Sequence, residues 1–241
     1  MKSLNCPTCG AALSASAAKL DIAVCEFCGT SFRLAKTLTP EPDMGDLLLG
    51  ADFSKNVLPG WGMINEDKLT FHKGPPAELR GKFQPQTSAY YVLKSSGFLD
   101  NFDASCTIRF FEGSEEWIRA GCYFRRTAEG GYGIMVSAQA SYTFGHVIKD
   151  EKEGLLFHKI LPWTHHSALR PGMKEFNRLR AICNGSSFRI YLNGVLATSF
   201  QDERFKMGTF FLAAEPSQKS GMEVGFSDLQ VREIPRGADS G

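Results

Sequence analysis

Apolar and polar residues alternate along most of this chain with the period of two that is typical of β-strands. Ile108 and Phe110 share one phase of such a run, for example, whereas Arg109 lies in the other. Runs of this kind recur from Ala51 onward and are separated by turn residues, which predicts an all-β sandwich or barrel. We expect strands near residues 68–72, 77–80, 88–94, 104–111, 117–126, 132–138, 142–148, 155–160, 177–183, 187–193, 195–200, 207–214 and 222–234.

Two dipeptides predict tight turns between neighbouring strands. Asn193-Gly194 separates two alternating runs and is typical of a two-residue type I′ hairpin, in which both central residues take a positive φ. Asn184-Gly185 fits a second turn of this kind. Two such hairpins in succession predict an antiparallel meander. Hydrophobic residues make up 43% of the chain, which is enough for a sizeable core.

Four of the seven cysteines form two CxxC pairs near the N-terminus, Cys6 with Cys9 and Cys25 with Cys28. The spacing between the pairs is typical of a four-thiolate zinc site, and the segment resembles the zinc-ribbon family. Four thiolates leave no position open for water, so we expect one structural Zn²⁺ ion. A redox dithiol is the alternative, but such a pair opens a helix in a βαβ context, which this sequence lacks.

The composition divides the chain into four parts. We expect a zinc ribbon at residues 1–36, a linker at 37–49, a β-sandwich at 50–235 and a flexible tail at 236–241. Prolines within the linker disfavour both helix and ladder pairing. The remaining cysteines fall in apolar phases and are expected to be buried and unreactive. They are Cys106, Cys122 and Cys183.

The charge balance excludes some partners. Lys and Arg number 27 and Asp and Glu number 26, so the net charge of +1 gives no global field to attract nucleic acid. The N-terminal residues lack the apolar run of a signal peptide, and no apolar stretch approaches the roughly 18 residues of a membrane span. We expect a cytoplasmic protein that binds no nucleic acid and does not span a membrane.

Short motifs follow one another in a characteristic order between residues 50 and 234. They are Asp52-Phe53, Gly60-Trp61, the segment 120–125, Gly131-Tyr132, the segments 177–180, 191–194 and 205–208, and the segment 226–231. In this order and spacing the chain resembles the concanavalin A-like lectin/glucanase superfamily, and within it bacterial laminin G-like and 3-keto-disaccharide hydrolase-like jelly rolls. The resemblance implies a curved sandwich of two antiparallel sheets whose concave face or rim loops take a saccharide.

Arginine and aromatic residues in the polar phases are the candidate ligand-binding residues, because guanidinium groups and rings bind and stack on sugars or peptides. They are Arg109, Tyr123, Arg125, Arg180, Arg189 and Tyr191, together with Trp163 in a predicted loop. The alternative is that these side chains form the solvated face of one sheet, and that Trp163 is a structural plug. A weaker pattern, Asp100, Asn101 and Asp103, fits a calcium ion at a rim loop.

We expect a non-catalytic, zinc-binding protein whose sandwich recognises a protein or carbohydrate ligand. The sequence shows a strong fold pattern but no strand with paired catalytic carboxylates and no GxSxG motif. Two alternatives remain: a sugar-active enzyme of the glycoside hydrolase type on the same fold, and a structural subunit of a larger assembly.

Overall fold

The computed structural model describes residues 11–12, 22–24, 27–28, 31–33, 45–86, 89–114, 117–150 and 154–234. The strands in these residues are β1 (Ile22–Val24), β2 (Ser31–Arg33), β3 (Leu47–Gly50), β4 (Trp61–Met63), β5 (Leu69–His72), β6 (Glu78–Phe83), β7 (Tyr90–Ser95), β8 (Phe102–Glu112), β9 (Arg119–Arg126), β10 (Gly130–Ser137), β11 (Ser141–Asp150), β12 (Gly154–His165), β13 (Asn177–Asn184), β14 (Ser187–Leu192), β15 (Val195–Gln201), β16 (Thr209–Glu215) and β17 (Met222–Glu233). A short 3-10 turn at Glu66–Lys68 precedes β5. The prediction of an all-β fold is confirmed for this part of the chain, and every expected strand is present with shifted bounds.

Two antiparallel sheets form the sandwich. The seven-stranded sheet has the order β12-β11-β10-β9-β16-β7-β4. The eight-stranded sheet has the order β15-β14-β13-β8-β17-β6-β5, and β3 also pairs with β17. Strands that follow one another in the chain often belong to different sheets, as β8 and β9 do, and such crossovers are typical of a jelly roll. The predicted two-sheet antiparallel sandwich is therefore confirmed.

One apolar core fills the space between the sheets. Phe124 of β9 contacts Phe102 of β8 and Phe188 of β14, with ring centroids 5.8 Å and 6.2 Å apart. All three rings are fully buried. Aromatic pairs of this kind add about 0.5–1.5 kcal/mol each beyond the burial of their area. The apolar phases read from the sequence thus face the core.

The three isolated cysteines belong to this core. Cys106, Cys122 and Cys183 are each at most 2% exposed, as the sequence predicts. Burial raises the pKa of Cys106 to about 12 and also raises the pKa values of the other two thiols. All three remain protonated at neutral pH, and a protonated thiol is a poor nucleophile.

Two boundaries differ from the sequence-based expectation. β3 pairs with β17 from Leu47 onward, so residues 47–49, expected in the linker, are part of the sandwich. β12 continues to His165, so Trp163 lies in a strand and the predicted loop is wrong. Pro162 is tolerated there because β12 is an edge strand whose register shifts at this point. Residues 37–44 and the tail from 235 lie outside the described residues, and their assignments stay predictions.

The hairpin prediction is confirmed at Asn193-Gly194, where both residues have positive φ angles of 48° and 81°. The Asn193 side chain supports the turn, since its Oδ1 accepts from the Arg178 N–H at 2.7 Å and its Nδ2 donates to the Ala168 carbonyl at 2.6 Å. The second turn is centred one residue later than expected. Asn184 pairs with Ser187, which leaves Gly185, with φ of 54°, as its first central residue.

Replacing Gly194 with Ala should lower the free energy of unfolding by about 1 kcal/mol, because a Cβ disfavours a positive φ. No atom lies within 4 Å of the Cβ that would be added, so only the backbone conformation opposes the change. Gly97→Ala is the matched control: Gly97 has the same open space and no positive φ. Urea denaturation measures both variants, and an equal loss in the two would contradict the explanation.

Candidate ligand-binding face

The outer face of the seven-stranded sheet carries a second apolar cluster, separate from the core. Its members are Tyr123, Met135, Val147 and Ala213, packed against Ala89, Tyr91, Phe157, Trp163 and Phe211. We call this surface the aromatic face. The solvent side of an antiparallel sheet is usually polar, so a cluster of rings there marks a candidate binding surface.

Two glycines leave room for two of these rings next to the sheet. Gly133 of β10 and Gly145 of β11 are direct cross-strand partners. A Cβ on Gly133 would lie 2.5 Å from the Tyr123 ring and 2.7 Å from the Phe157 ring. A Cβ on Gly145 would lie 2.9 Å from the Phe157 ring. The two rings therefore occupy the space that side chains at these glycine positions would fill.

A carboxylate, a guanidinium and a phenol meet beside the aromatic face. The pairing of β9 with β16 places Arg119 opposite Glu215. The Tyr123 hydroxyl donates to Glu215 Oε1 at 2.7 Å, and Arg119 Nη1 lies 3.6 Å from Glu215 Oε2. The Arg119 guanidinium also lies over the Trp163 ring, 4.9 Å from its centroid. Burial and the Glu215 charge raise the pKa of Tyr123 well above its usual value, so the phenol stays a donor.

Two pockets border this polar group. One has a volume of about 210 Å³ and is lined by Arg119, Met135, Thr143, Phe157, Lys159, Trp163 and Glu215. The other has a volume of about 420 Å³ and is lined by Gln86, Trp117, Arg119, Glu215, Pro216, Ser217, Gln218 and Lys219. Because Arg119 and Glu215 line both, we call the pair of pockets the Arg119 groove. Trp117 is 55% exposed, so the larger pocket presents an open ring.

The seven predicted ligand residues occupy three places in the structure. Tyr123 and Trp163 belong to the aromatic face. Four more lie on the outer face of the eight-stranded sheet, on strands β8, β13 and β14. They are Arg109, Arg180, Arg189 and Tyr191. The expectation of one common face is therefore wrong, because alternation assigns a side chain to a phase but does not assign a strand to a sheet.

On the eight-stranded sheet, carboxylates hold two of the three predicted arginines, Arg180 and Arg109. Arg180 Nη2 and Nε donate to Asp103 Oδ2 and Oδ1 at 2.6 Å and 2.9 Å. Arg109 Nη2 donates to the buried Glu78 at 2.6 Å, and its guanidinium lies 4.5 Å from the Phe111 ring centroid. These contacts correspond to the alternative that the sequence left open, in which the side chains form the solvated face of one sheet and the arginines pack over rings. A pocket of about 400 Å³ lies beside Asp103 and Arg180.

Arg125 lies on neither outer face and is only 1% exposed. Its φ of 48° and the register shift between β9 and β16 break the alternation that would place it in phase with Tyr123. Its guanidinium donates to the carbonyls of Asp100, Gly185 and Phe205 at 2.7 Å, 2.8 Å and 3.1 Å. The prediction of Arg125 as an outward ligand-binding residue is therefore wrong, because the side chain ties three segments together inside the sandwich.

The residues of the weak calcium pattern have other partners. The Asp100 carbonyl accepts from Arg125, the Asn101 side chain accepts from the Gly185 N–H at 2.8 Å, and Asp103 pairs with Arg180. Within the described ranges, no group of three or more His, Cys, Asp or Glu side chains is arranged to hold a metal ion. The calcium expectation therefore gains no support from these contacts.

Only one of the four predicted zinc ligands, Cys28, lies among the described residues. Cys6, Cys9 and Cys25 lie outside them. β1 and β2 form an antiparallel hairpin in which Ile22 pairs with Arg33, and Cys28 lies in a turn between the two strands. An exposed thiol at such a turn suits a metal ligand, because the turn can direct sulfur away from the strands.

A titratable cluster links β10 and β11 to the loop after β15. His146 Nε2 lies 3.1 Å from Asp202 Oδ2, and Arg204 Nη1 lies 3.2 Å from His146 Nδ1. An arginine only donates, so Nδ1 accepts and the imidazole proton is on Nε2. Burial lowers the pKa of His146 in spite of the Asp202 charge. Burial acts to raise the pKa of Asp202, but hydrogen bonds, first of all the one from the Tyr132 hydroxyl, lower it below its ordinary value.

No protein-family model and no curated protein matches the sequence. Solved structures do match. Carbohydrate binding module CBM66 from Bacillus subtilis has a TM-score of 0.52 at 19% identity, and the match covers 72% of this chain and 96% of that one. A Bacillus subtilis protein of unknown function with a galectin-like fold has a TM-score of 0.56 at 11% identity over 81% of this chain and 100% of that one. The Bacillus licheniformis β-glucanase has a TM-score of 0.51 at 10% identity over 80% of this chain and 100% of that one.

At these identities the likeness shows the fold alone. It confirms the concanavalin A/galectin-like jelly roll that the motif order predicts. It assigns no ligand, because one fold carries many functions. The described part of the chain contains no helix long and apolar enough to cross a membrane.

Lowering the pH from about 7 to about 5 should destabilise the protein through His146. Its folded pKa lies below the ordinary 6.5, so below that pH the unfolded chain takes up a proton that the folded chain resists. The stabilisation from neutral His146 is complete above pH 6.5 and is lost as the pH falls below that value. The lowered pKa of Asp202 also makes the protein less stable in acid, but only near the ordinary Asp pKa of 3.8. Urea denaturation at each pH should show a flatter profile for His146→Gln. An unchanged profile would exclude this source of the pH dependence.

Proposed function

We propose that the Arg119 groove and the adjoining aromatic face bind a saccharide. The observation that carries the proposal is the exposed Trp117 ring in a pocket that also contains Arg119 and Glu215. A sugar ring stacks its C–H face on an aromatic side chain, and its hydroxyls bond to charged donors and acceptors. The pocket of about 420 Å³ falls within the usual size range of small-molecule sites.

The structural neighbours support a sugar rather than a protein as the ligand. One is named as a carbohydrate binding module and another as a β-glucanase, and both share the jelly roll. The groove adds local support, because it combines an open ring with a hydrogen-bonding pair, as a sugar site requires.

Binding accounts for the groove better than hydrolysis does. A glycosidase of the usual kind flanks the scissile bond with two carboxyl groups about 5–10 Å apart. Among the described residues that line the groove, Glu215 is the one carboxylate. It accepts from the Tyr123 hydroxyl and lies near Arg119, and these contacts orient it. We therefore assign Glu215 a role in positioning the ligand.

We further propose that the N-terminal segment holds one structural Zn²⁺ ion through Cys6, Cys9, Cys25 and Cys28. The support is the spacing of the two CxxC pairs and the place of Cys28 in the turn between β1 and β2. A segment this short has too few apolar residues for a core of its own, so bound metal would supply its stability.

Cytoplasmic localisation also remains a proposal. It agrees with the zinc proposal, because the cytoplasm keeps thiols reduced and so able to bind the metal.

Trp117→Ala should weaken saccharide binding about fivefold, a loss of about 1 kcal/mol from the stacking contact. The melting temperature should stay unchanged, because the Trp117 side chain is 55% exposed. Phe98→Ala is the control, since Phe98 is an exposed ring at 61% and does not line the groove. The full chain would be screened on an oligosaccharide array, and the strongest binder measured by calorimetry. Equal affinity of wild type and Trp117→Ala, or no array binding, would contradict the proposal.

Purified chain should contain one equivalent of zinc, and Cys28→Ser should lose most of it in the presence of a competing chelator. Cys106→Ala serves as the control, because Cys106 is buried in the sandwich core and belongs to no CxxC pair. Elemental analysis measures the metal directly. Zinc retained equally by the two variants, or absent from the wild-type chain, would remove the zinc assignment.

A further inference from the structure

The described side chains that line the Arg119 groove carry an excess of positive charge. Arg119, Lys159 and Lys219 are cationic, whereas Glu215 is the one anion among them. The whole chain has a net charge of only +1, so this excess is a local property of the groove. Lys159 and Lys219 are exposed and form no ion pair with other described residues. Within the part of the chain that the structure describes, no carboxylate therefore pairs with these two ammonium groups.

Arg119 is bound less tightly than the arginines on the other sheet. Its closest approach to Glu215 is 3.6 Å, which is too long for a hydrogen bond. Arg180 and Arg109, in contrast, donate to their carboxylates at 2.6 Å. Glu215 has its own short bond at 2.7 Å, and the donor is Tyr123. The Arg119 guanidinium thus keeps N–H groups for a further acceptor, and its side chain is 31% exposed.

Contacts with neighbouring residues orient the Arg119 guanidinium and the backbone of Lys219. Trp163 supports the Arg119 guanidinium from one side, with the ring centroid 4.9 Å away. Lys219 belongs to a turn in which Ser217 Oγ accepts from the N–H groups of Lys219 and Ser220 at 3.1 Å and 2.8 Å. A planar guanidinium held in this way suits the two oxygens of a carboxylate or sulfate group. The groove therefore places a guanidinium that can bind an anion beside the exposed ring of Trp117.

We propose that the saccharide bound in the groove is acidic, with its anionic group on Arg119 and within reach of the charges of Lys159 and Lys219. This inference rests on the proposed saccharide function and adds the class of sugar. A carboxylate of a uronic acid and a sulfate ester share the required chemistry, two or more oxygens that carry a delocalised negative charge. The exposed Trp117 ring takes the apolar face of the same or a neighbouring sugar unit.

The test compares pairs of ligands in which one member is acidic and the other is neutral. Calorimetry with the full chain would use tetragalacturonate and its complete methyl ester, and a sulfated tetrasaccharide of otherwise neutral sugars, from κ-carrageenan, with its desulfated form. We expect at least one acidic member to bind about tenfold more tightly than its neutral counterpart. The preference should shrink as salt rises from about 0.05 M to about 0.5 M. Whichever pair shows the difference identifies the anion as carboxylate or sulfate.

The variants locate the charge effect. The double variant Lys159→Gln/Lys219→Gln should lower the affinity for the acidic sugar several-fold more than it lowers the affinity for the neutral one. Lys73→Gln is the control, since Lys73 is exposed and does not line the groove. Melting temperatures of all variants should match the wild type.

The outcomes separate the two proposals. Equal binding of acidic and neutral sugars would overturn the acidic class and leave the saccharide function standing. Binding of no sugar on the array or in these pairs would contradict both. Equal affinity for polyglutamate and for the acidic sugar would show a general anion surface, and it would overturn the assignment to a saccharide.

Discussion

The packing of the two inner sheet faces against each other determines everything that the outer faces present. Rings such as Phe102 and Phe124 meet across the interface, and a shift of one residue in either strand would move its core side chains into water. This penalty fixes the register of β9 against β10 and β16. The outward position of Arg119 and Tyr123, and the meeting of Arg119 with Glu215, follow from that register.

Much of the fold could be predicted because alternation and turn chemistry are local properties. The apolar phase correctly placed Ile108 and Cys183 in the core, and Asn193-Gly194 correctly located a type I′ turn. Strands that are neighbours in the chain, however, often belong to different sheets, and no local pattern reports this. Tyr123 of β9 was therefore grouped with Arg109 of β8 although the two strands lie in opposite sheets.

The candidate site was harder to predict than the fold. Arg119 shares the phase of Tyr123, so extending the alternation of β9 by four residues toward the N-terminus would have found it. Glu215 could not be found this way, because its contact with Arg119 depends on the pairing of β9 with the distant β16. Arg125 was misplaced because one residue with positive φ reverses the phase of a strand, and only the three-dimensional structure reveals such a bulge.

The glycine pair beneath the rings has an entropic consequence. Tyr123 and Phe157 pack closely against Gly133 and Gly145, and Tyr123 is only 4% exposed. Side chains that are already immobile lose little conformational entropy when a ligand arrives, and each mobile side chain would cost about 0.5–1.5 kcal/mol to order. The sheet thereby makes a rigid floor from residues that lack side chains. The proposed saccharide would therefore bind with little loss of side-chain entropy in the protein.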